Sequence, residues 1–287
     1  MTNKRFQILQ LLGLLLLALL ISFNTFAAAN LPKHSPVPGG IAVIDLPSST
    51  QPPTAFYRGN RVLVTGSQQT GWYAITGIAL KATPGNHHIQ LGDGQKIAFN
   101  VKPKTYKEQR ITLTNKRQVN PAPMDLERIG REKKVMVAAF KHWNEQLTPS
   151  LTLLKPVQGP YSSPFGLKRF FNDQPRNPHS GLDIAAAEGS PIQAPAKAIV
   201  AATGDYFFNG KTILLDHGQG LISMYCHLSE INVAKGDIVN TKDIIGQVGK
   251  TGRVTGPHLH WSVSLNNARI NPFLLMSDEP DILESPE

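Results

Sequence analysis

Apolar and polar positions alternate over short stretches along most of this chain, and the period changes to a helical one only once. Between residues 31 and 118, apolar or alternating runs recur at Ile41-Ala42-Val43-Ile44, Arg61-Val62-Leu63-Val64, Trp72-Tyr73-Ala74-Ile75, His88-Ile89-Gln90-Leu91, Ile97-Ala98-Phe99 and Arg110-Ile111-Thr112-Leu113. Turn signals such as Pro38-Gly39-Gly40, Thr83-Pro84-Gly85-Asn86 and Gly92-Asp93-Gly94 separate them. Strands at this spacing predict a β-sandwich. In the 119–150 stretch, Leu126, Ile129, Met136, Phe140, Trp143 and Leu147 recur at helical spacing, which predicts one amphipathic helix over 124–147. Thr148-Pro149-Ser150 closes that linker. Residues 151–275 return to strands, expected at 191–202, 211–215, 221–228, 231–239, 244–248 and 259–265, with glycine turns between them. The expected fold is therefore all-β dominated: a sandwich, a connecting helix and a second, antiparallel β-sheet domain.

The N-terminus changes the picture of where this body resides. Lys4 and Arg5 precede an apolar core from Leu11 to Ile21, followed by Phe26-Ala27-Ala28-Ala29. That order is a secretory signal peptide over residues 1–29, with cleavage after Ala29. The alternative is an uncleaved anchor over 6–23, the one route to membrane association. The only cysteine is Cys226, so a lipidated N-terminal cysteine and an intrachain disulfide are both excluded. The net charge of +9 falls to +7 once Lys4 and Arg5 are set aside. The 276–287 tail holds Asp278, Glu279, Asp281, Glu284 and Glu287, so the folded body is more basic still. A basic exported body fits an anionic polymer such as a cell wall; no nucleic-acid partner is expected.

Candidate chemistry concentrates in the second domain, which holds five of the nine histidines. In Pro257-His258-Leu259-His260-Trp261, strand alternation places His258, His260, Ser262 and Ser264 on one face and Leu259, Trp261, Val263 and Leu265 on the other. His179-Ser180-Gly181-Leu182-Asp183 sets an imidazole and a carboxylate around a glycine turn. His227 falls at a strand end on the polar face with Ser223 and Tyr225, while Cys226 is expected to point away from that face into the core. A catalytic zinc takes three protein ligands and leaves a position for water, whose pKa it lowers to about 7. His179, Asp183 and one histidine of the 258/260 pair supply that number. His227 and the other member of the pair are left to activate water and stabilise an oxyanion. No H-E-x-x-H helix is present. Gly249-Lys250-Thr251 lacks the earlier glycine of a phosphate loop, and His217 reads as a turn-stabilising residue. His87, His88 and His142 read as surface residues.

His179-x-x-x-Asp183, Tyr225-x-His227-Leu228-Ser229 and Gly252-x-x-Thr255-Gly256-Pro257-His258-Leu259-His260 together resemble the lysostaphin-type, LytM-like zinc metallopeptidases of family M23. The likeness spans residues 162–273 and includes Ser163-Pro164-Phe165-Gly166 and Gly236-Asp237-x-Val239. Residues 37–118 resemble the immunoglobulin-like domain that often precedes this peptidase in Gram-negative bacteria. The resemblance implies one Zn2+ ion held by His179, Asp183 and His260, with His227 and His258 as the catalytic imidazoles. It implies a periplasmic endopeptidase acting on peptidoglycan stems or cross-links, and a duplicated-hybrid-motif fold for 151–275. Trp261-Ser262 stands where many members carry an acidic residue. Two alternatives accompany this expectation: a non-catalytic peptidoglycan-binding regulator of amidases, and a latent enzyme whose first domain or helix covers the cleft.

Overall fold

The computed structural model describes residues 31–276. The expected signal segment, and the acidic tail beyond Met276, lie outside the described residues. Among the described residues, no helix is long and apolar enough to cross a membrane.

The first β unit is two small antiparallel sheets. One is ordered Ile41–Leu46, Gly71–Gly77, Leu63–Ser67; the other is ordered Asn60–Arg61, Ala55–Tyr57, Gly85–Leu91, Lys96–Val101. Alternation explains their packing. Ala42, Ile44, Ala74, Ile89, Leu91 and Val101 point between the sheets, while His88 and Gln90 point outward. The first sheet is buried on both faces. Ile41, Leu63 and Ile75, on its other side, enter the core of the second domain. Asn266 fastens this contact: its Oδ1 accepts from the Gly77 N–H at 2.6 Å, and its Nδ2 donates to the Gly77 carbonyl at 3.1 Å. Gly77 lies so close that an added Cβ would sit 2.8 Å from the Leu265 carbonyl oxygen.

The run expected at 110–113 does not join the sandwich. Its strand is Glu108–Ile111, which pairs in parallel with Lys168–Phe171 of the second domain. Asn172 extends this join with two bonds, accepting from the Leu113 N–H at 2.7 Å and donating to the Leu113 carbonyl at 3.1 Å. The chain between the two β units thus runs along the second domain. A short helix follows at Lys116–Val119, and the main helix spans Pro123–Lys141. Proline in its first turn and Asp125, which accepts from the Ala122 N–H at 3.0 Å, set its start. The helix ends six residues before the expected 147, where His142 turns extended. Ala139 and Phe140 pack on Ala202, Leu214, Ile222 and Met224. Leu126, expected on the buried stripe, is 57% exposed, so only the C-terminal half of the helix uses its apolar face.

The second domain is built on a ten-stranded sheet. Its main path runs Ile238–Val239, Ala198–Tyr206, Gly210–Asp216, Leu221–Ile231, Leu259–Leu265, Leu182–Ile184, Tyr161–Ser163. The strand expected over 191–202 is two strands, Pro191–Gln193 and Ala198–Tyr206, broken at Pro195, which cannot donate to a ladder. The run expected over 231–239 is a turn closed by Asp237 and only two residues of strand. Trp261, Tyr225, Val263, Leu265, Leu182 and Ile184 fill the core beneath the central strands. Every residue of Leu259–Leu265 is buried; on the face opposite the apolar one, Arg269 donates to Ser264 Oγ at 3.3 Å and lies over the ring of Phe140 on the helix.

Candidate metal centre and cleft

Strand register builds the site. Asp183 lies directly opposite His260, and His260 directly opposite Cys226, across three antiparallel strands. Directly opposed residues share a face with Cβ atoms about 5 Å apart, so this register delivers a carboxylate and an imidazole to one point. His179 enters from the preceding loop, held by backbone bonds from its N–H to Leu167 and from Gly166 to its carbonyl. Gly181 makes that approach possible. A Cβ there would meet the Trp261 carbonyl oxygen at 2.5 Å and the His260 ring at 2.8 Å.

The three groups converge. His179 Nε2 lies 3.0 Å from Asp183 Oδ1 and 3.0 Å from His260 Nδ1, and His260 Nδ1 lies 2.8 Å from Asp183 Oδ1. The remaining nitrogens are already engaged. His179 Nδ1 donates to the Pro164 carbonyl at 2.7 Å, and His260 Nε2 donates to Ser262 Oγ at 2.9 Å. Each imidazole therefore turns a lone pair inward, toward a carboxylate oxygen. Burial lowers His260 to about 4 against the pull of Asp183, so it is neutral near pH 7. Two imidazoles, each turning a lone pair inward beside a carboxylate oxygen, fit a divalent cation. The second carboxylate oxygen of Asp183 accepts from Arg169 Nη2 at 3.0 Å, and Arg169 Nε donates to Gln109 Oε1 at 3.1 Å.

His258 and His227 stand beside this cluster. His258 Nε2 is 4.0 Å from Asp183 Oδ1; the His227 ring centroid is 4.9 Å from that of His258 and 6.1 Å from that of His260. His258 Nδ1 donates to the Gly256 carbonyl at 2.9 Å, and His227 Nδ1 to the Thr251 carbonyl at 2.9 Å. Both rings are thus the tautomer with a free Nε2. Burial, reinforced by His260 and His258, lowers His227 to about 3. A cleft of about 290 Å³ opens over Asp183, His227, His258 and His260.

The route by which His227 arrives differs from simple alternation. Alternation places His227 with Ser223 and Tyr225, yet Cys226 is the residue that lies opposite His260. The pairing of Leu221–Ile231 with Gly210–Asp216 slips at this point, with Lys211 opposite Leu228 and Ile213 opposite Tyr225. His227 adopts φ +68° in this bulge and its N–H bonds to the Asn209 carbonyl at 2.8 Å. The bulge re-aims the imidazole toward the face that carries Asp183 and His260. The expectation that Cys226 avoids the histidine's face is thus overturned. What keeps it inert is burial, which pushes its thiol up to about 12.

Sequence pattern did not single out Arg169, Gln109 or Arg253, and it placed Ser262 on the histidine face without a role in orienting His260. Gln109 lies far from the motifs, and only the parallel pairing of its strand brings it here. Elsewhere His217 is buried as a turn residue, with Nδ1 on the Lys197 carbonyl and Nε2 on Ser223 Oγ at 2.7 Å. His142 is exposed but pairs with Asp216 at 2.7 Å. His88 is exposed, whereas His87 is half-buried and bonds Tyr57 at 2.6 Å.

Comparison with known proteins matches residues 177–272, which contain all five residues above, to Peptidase family M23. Residues 34–104 match the Peptidase family M23 N-terminal domain. A Neisseria meningitidis relative, DD-carboxypeptidase/endopeptidase Mpg, is 34% identical over 124 residues, which are 43% of this chain and 29% of Mpg. Peptidoglycan DD-endopeptidase ShyA of Vibrio cholerae is 37% identical over 94 residues, 33% of this chain and 22% of ShyA. The chain thus matches less than a third of the length of these curated relatives. A solved Pseudomonas aeruginosa chain described as a peptidase M23 aligns with TM-score 0.72 and 45% identity, covering 85% of this chain and 96% of that one. Matched over nearly the whole of that structure, the chain belongs to peptidase family M23.

Proposed function

We propose that this protein is an exported zinc metalloendopeptidase that hydrolyses peptide bonds in the stems or cross-links of peptidoglycan, working in the periplasm of a Gram-negative bacterium. The relatives named for peptidoglycan endopeptidase activity support the substrate, and the order of charge, apolar core and small residues over 1–29 supports export. His179, Asp183 and His260 hold one Zn2+. The observation that carries the reading is the convergence of His179 Nε2, His260 Nδ1 and Asp183 Oδ1 within 3.0 Å of one another, with every other ring nitrogen of that set already bonded. When bound, the ion supplies Lewis acidity toward water and the substrate carbonyl.

The chain's own residues do the rest. His258, with its Nδ1 proton fixed on Gly256, accepts a proton from the attacking water at Nε2. Once charged, the same nitrogen donates that proton to the leaving amine. His227 is too weak a base to compete for the proton, because burial keeps it neutral. Its Nε2 accepts the water's second hydrogen and orients the attack. Arg169 holds the outer oxygen of Asp183, leaving the inner one for the metal.

The test is digestion of purified sacculi, with products identified by mass spectrometry, before and after chelation and again after zinc is restored. Loss and recovery of cross-link cleavage is expected. Unchanged hydrolysis in a metal-depleted sample refutes the reading.

A further inference from the structure

Among the described residues, Arg253 is the cation of the cleft whose charge no acidic side chain balances. Its guanidinium carbon lies 4.6 Å from the Phe171 ring centroid and 4.4 Å from that of Phe208. Two aromatic faces grip the guanidinium and offer no acceptor for its edge-directed N–H groups. Its side chain makes one long hydrogen bond, from Nη1 to the Gln118 carbonyl at 3.4 Å. Among the described residues it has no acidic partner.

The neighbours sharpen this. Arg169 and Arg176 are near enough to add to the burial that lowers Arg253 to about 10. Arg169 is committed to Asp183 and Gln109, and Arg176 to Val119, Asn120 and Gln174. Asp183 is the one carboxylate among the residues lining the cleft, and Arg169 already bonds it. A half-buried, aromatic-clamped guanidinium facing such a cleft is preorganised for a planar anion. The loop that carries Arg253 runs on to His258, so an anion held there lies within a few residues' reach of the reacting groups.

We propose that Arg253 is a specificity-determining residue that binds a carboxylate of the peptide substrate, through a two-point contact from a guanidinium fixed between Phe171 and Phe208. This rests on the peptidase reading, and it goes beyond it by stating what the substrate must carry. Both the free C-terminal carboxylate and the side-chain carboxylate of a cross-linking diamino acid have this chemistry.

The experiment uses the zinc-loaded full chain with four synthetic stem-peptide dimers: the free acid, the C-terminal amide, the side-chain amide, and the double amide. Wild type is expected to cleave the free acid roughly ten- to a hundredfold more efficiently than the dimer amidated at the recognised position, chiefly through KM. Whichever single amide loses efficiency identifies the carboxylate. R253Q should lose that preference while keeping its rate on the double amide, and R253K should recover only part of it. Thermal melting and zinc content should be unchanged in both variants. Equal cleavage of all four dimers by wild type, or an equal loss on all four in R253Q, overturns the proposal. Equilibrium binding of the same dimers separates it from the peptidase reading. Carboxylate-dependent binding that R253Q abolishes, without any cleavage, sustains the anion site while the peptidase reading fails.

Discussion

Asp183 and His260 are register partners on adjacent antiparallel strands, and their side chains meet Oδ1 to Nδ1 at 2.8 Å. Two of the three converging groups are thus placed by the register of the sheet, and the third, His179, enters from a loop. Asp183→Ala should weaken zinc by more than about a hundredfold and abolish cleavage, because it removes both the anionic ligand and the partner of Arg169. The fold should persist, since the backbone pairing of Leu182–Ile184 is untouched. Metal titration followed by circular dichroism checks both halves; a variant that still binds zinc stoichiometrically at micromolar concentration contradicts the ligand set.

Ser262 tests how the nitrogen that His260 turns toward Asp183 is chosen. Its Oγ accepts from His260 Nε2 at 2.9 Å, which fixes the tautomer and turns Nδ1 to the cluster. Ser262 is fully buried, so water cannot easily replace the hydroxyl. Ser262→Ala should lower zinc affinity about ten- to a hundredfold with the imidazole still in place. Competition with a chelator of known affinity reads this directly. An unchanged constant means that the tautomer is held by the strand alone.

His227→Ala separates chemistry from metal binding. His227 bonds Thr251 rather than the three converging atoms, and its left-handed backbone is stabilised by the bond to Asn209. The variant should retain zinc and lose roughly two to four orders of magnitude in kcat. Loss of zinc in parallel with activity would instead make His227 a ligand.

These particulars show how far the pattern of residues could be read. That His179, Asp183, His227, His258 and His260 cluster was legible, because metal-type side chains at strand and turn spacing are rare and the motifs order them; the pattern alone left the roles within the 258/260 pair open. The sandwich was legible because alternation in runs such as 85–91 survives into burial. Other features depend on distant pairing. Glu108–Ile111 looks like one more sandwich strand until Lys168–Phe171 is available beside it. Leu182–Ile184 and Tyr161–Ser163 are too short to show a period. The bulge that re-aims His227 arises between two strands and leaves no mark on either alone.

His217 gives the stability a pH dependence of known sign. Burial lowers its pKa from 6.5 to about 4, while the unfolded chain titrates it near 6.5. Between those values the unfolded state holds more protons, so this contribution is complete above about pH 6.5 and is lost as pH falls toward 4. The loss amounts to about 3 kcal/mol for this group. Urea denaturation at pH 7 and pH 4 should show a smaller difference for His217→Gln than for wild type, by roughly 2 to 3 kcal/mol. Equal differences would assign the acid sensitivity elsewhere.

Asn266 offers the sharpest test of how the two β units are joined. It occupies, with Asn267, a two-residue hairpin turn in which both residues have positive φ, 44° and 62°. Its side chain then reaches across to satisfy both the N–H and the carbonyl of Gly77. The two roles predict opposite outcomes on substitution. Glycine suits a left-handed turn at least as well as asparagine, so turn geometry alone makes Asn266→Gly neutral or stabilising. Loss of the clamp leaves the buried N–H of Gly77 without its partner and its carbonyl with only a long contact from Thr76 Oγ1 at 3.5 Å, at roughly 1 to 3 kcal/mol each. The clamp should prevail, and Asn266→Gly should destabilise the chain by roughly 2 to 4 kcal/mol in urea. The Gly85–Leu91 sheet should lose amide-exchange protection together with the second domain if the units unfold as one, and before it if the clamp is what couples them. A variant as stable as wild type shows instead that Ile41, Leu63 and Ile75 hold the contact without help from Asn266.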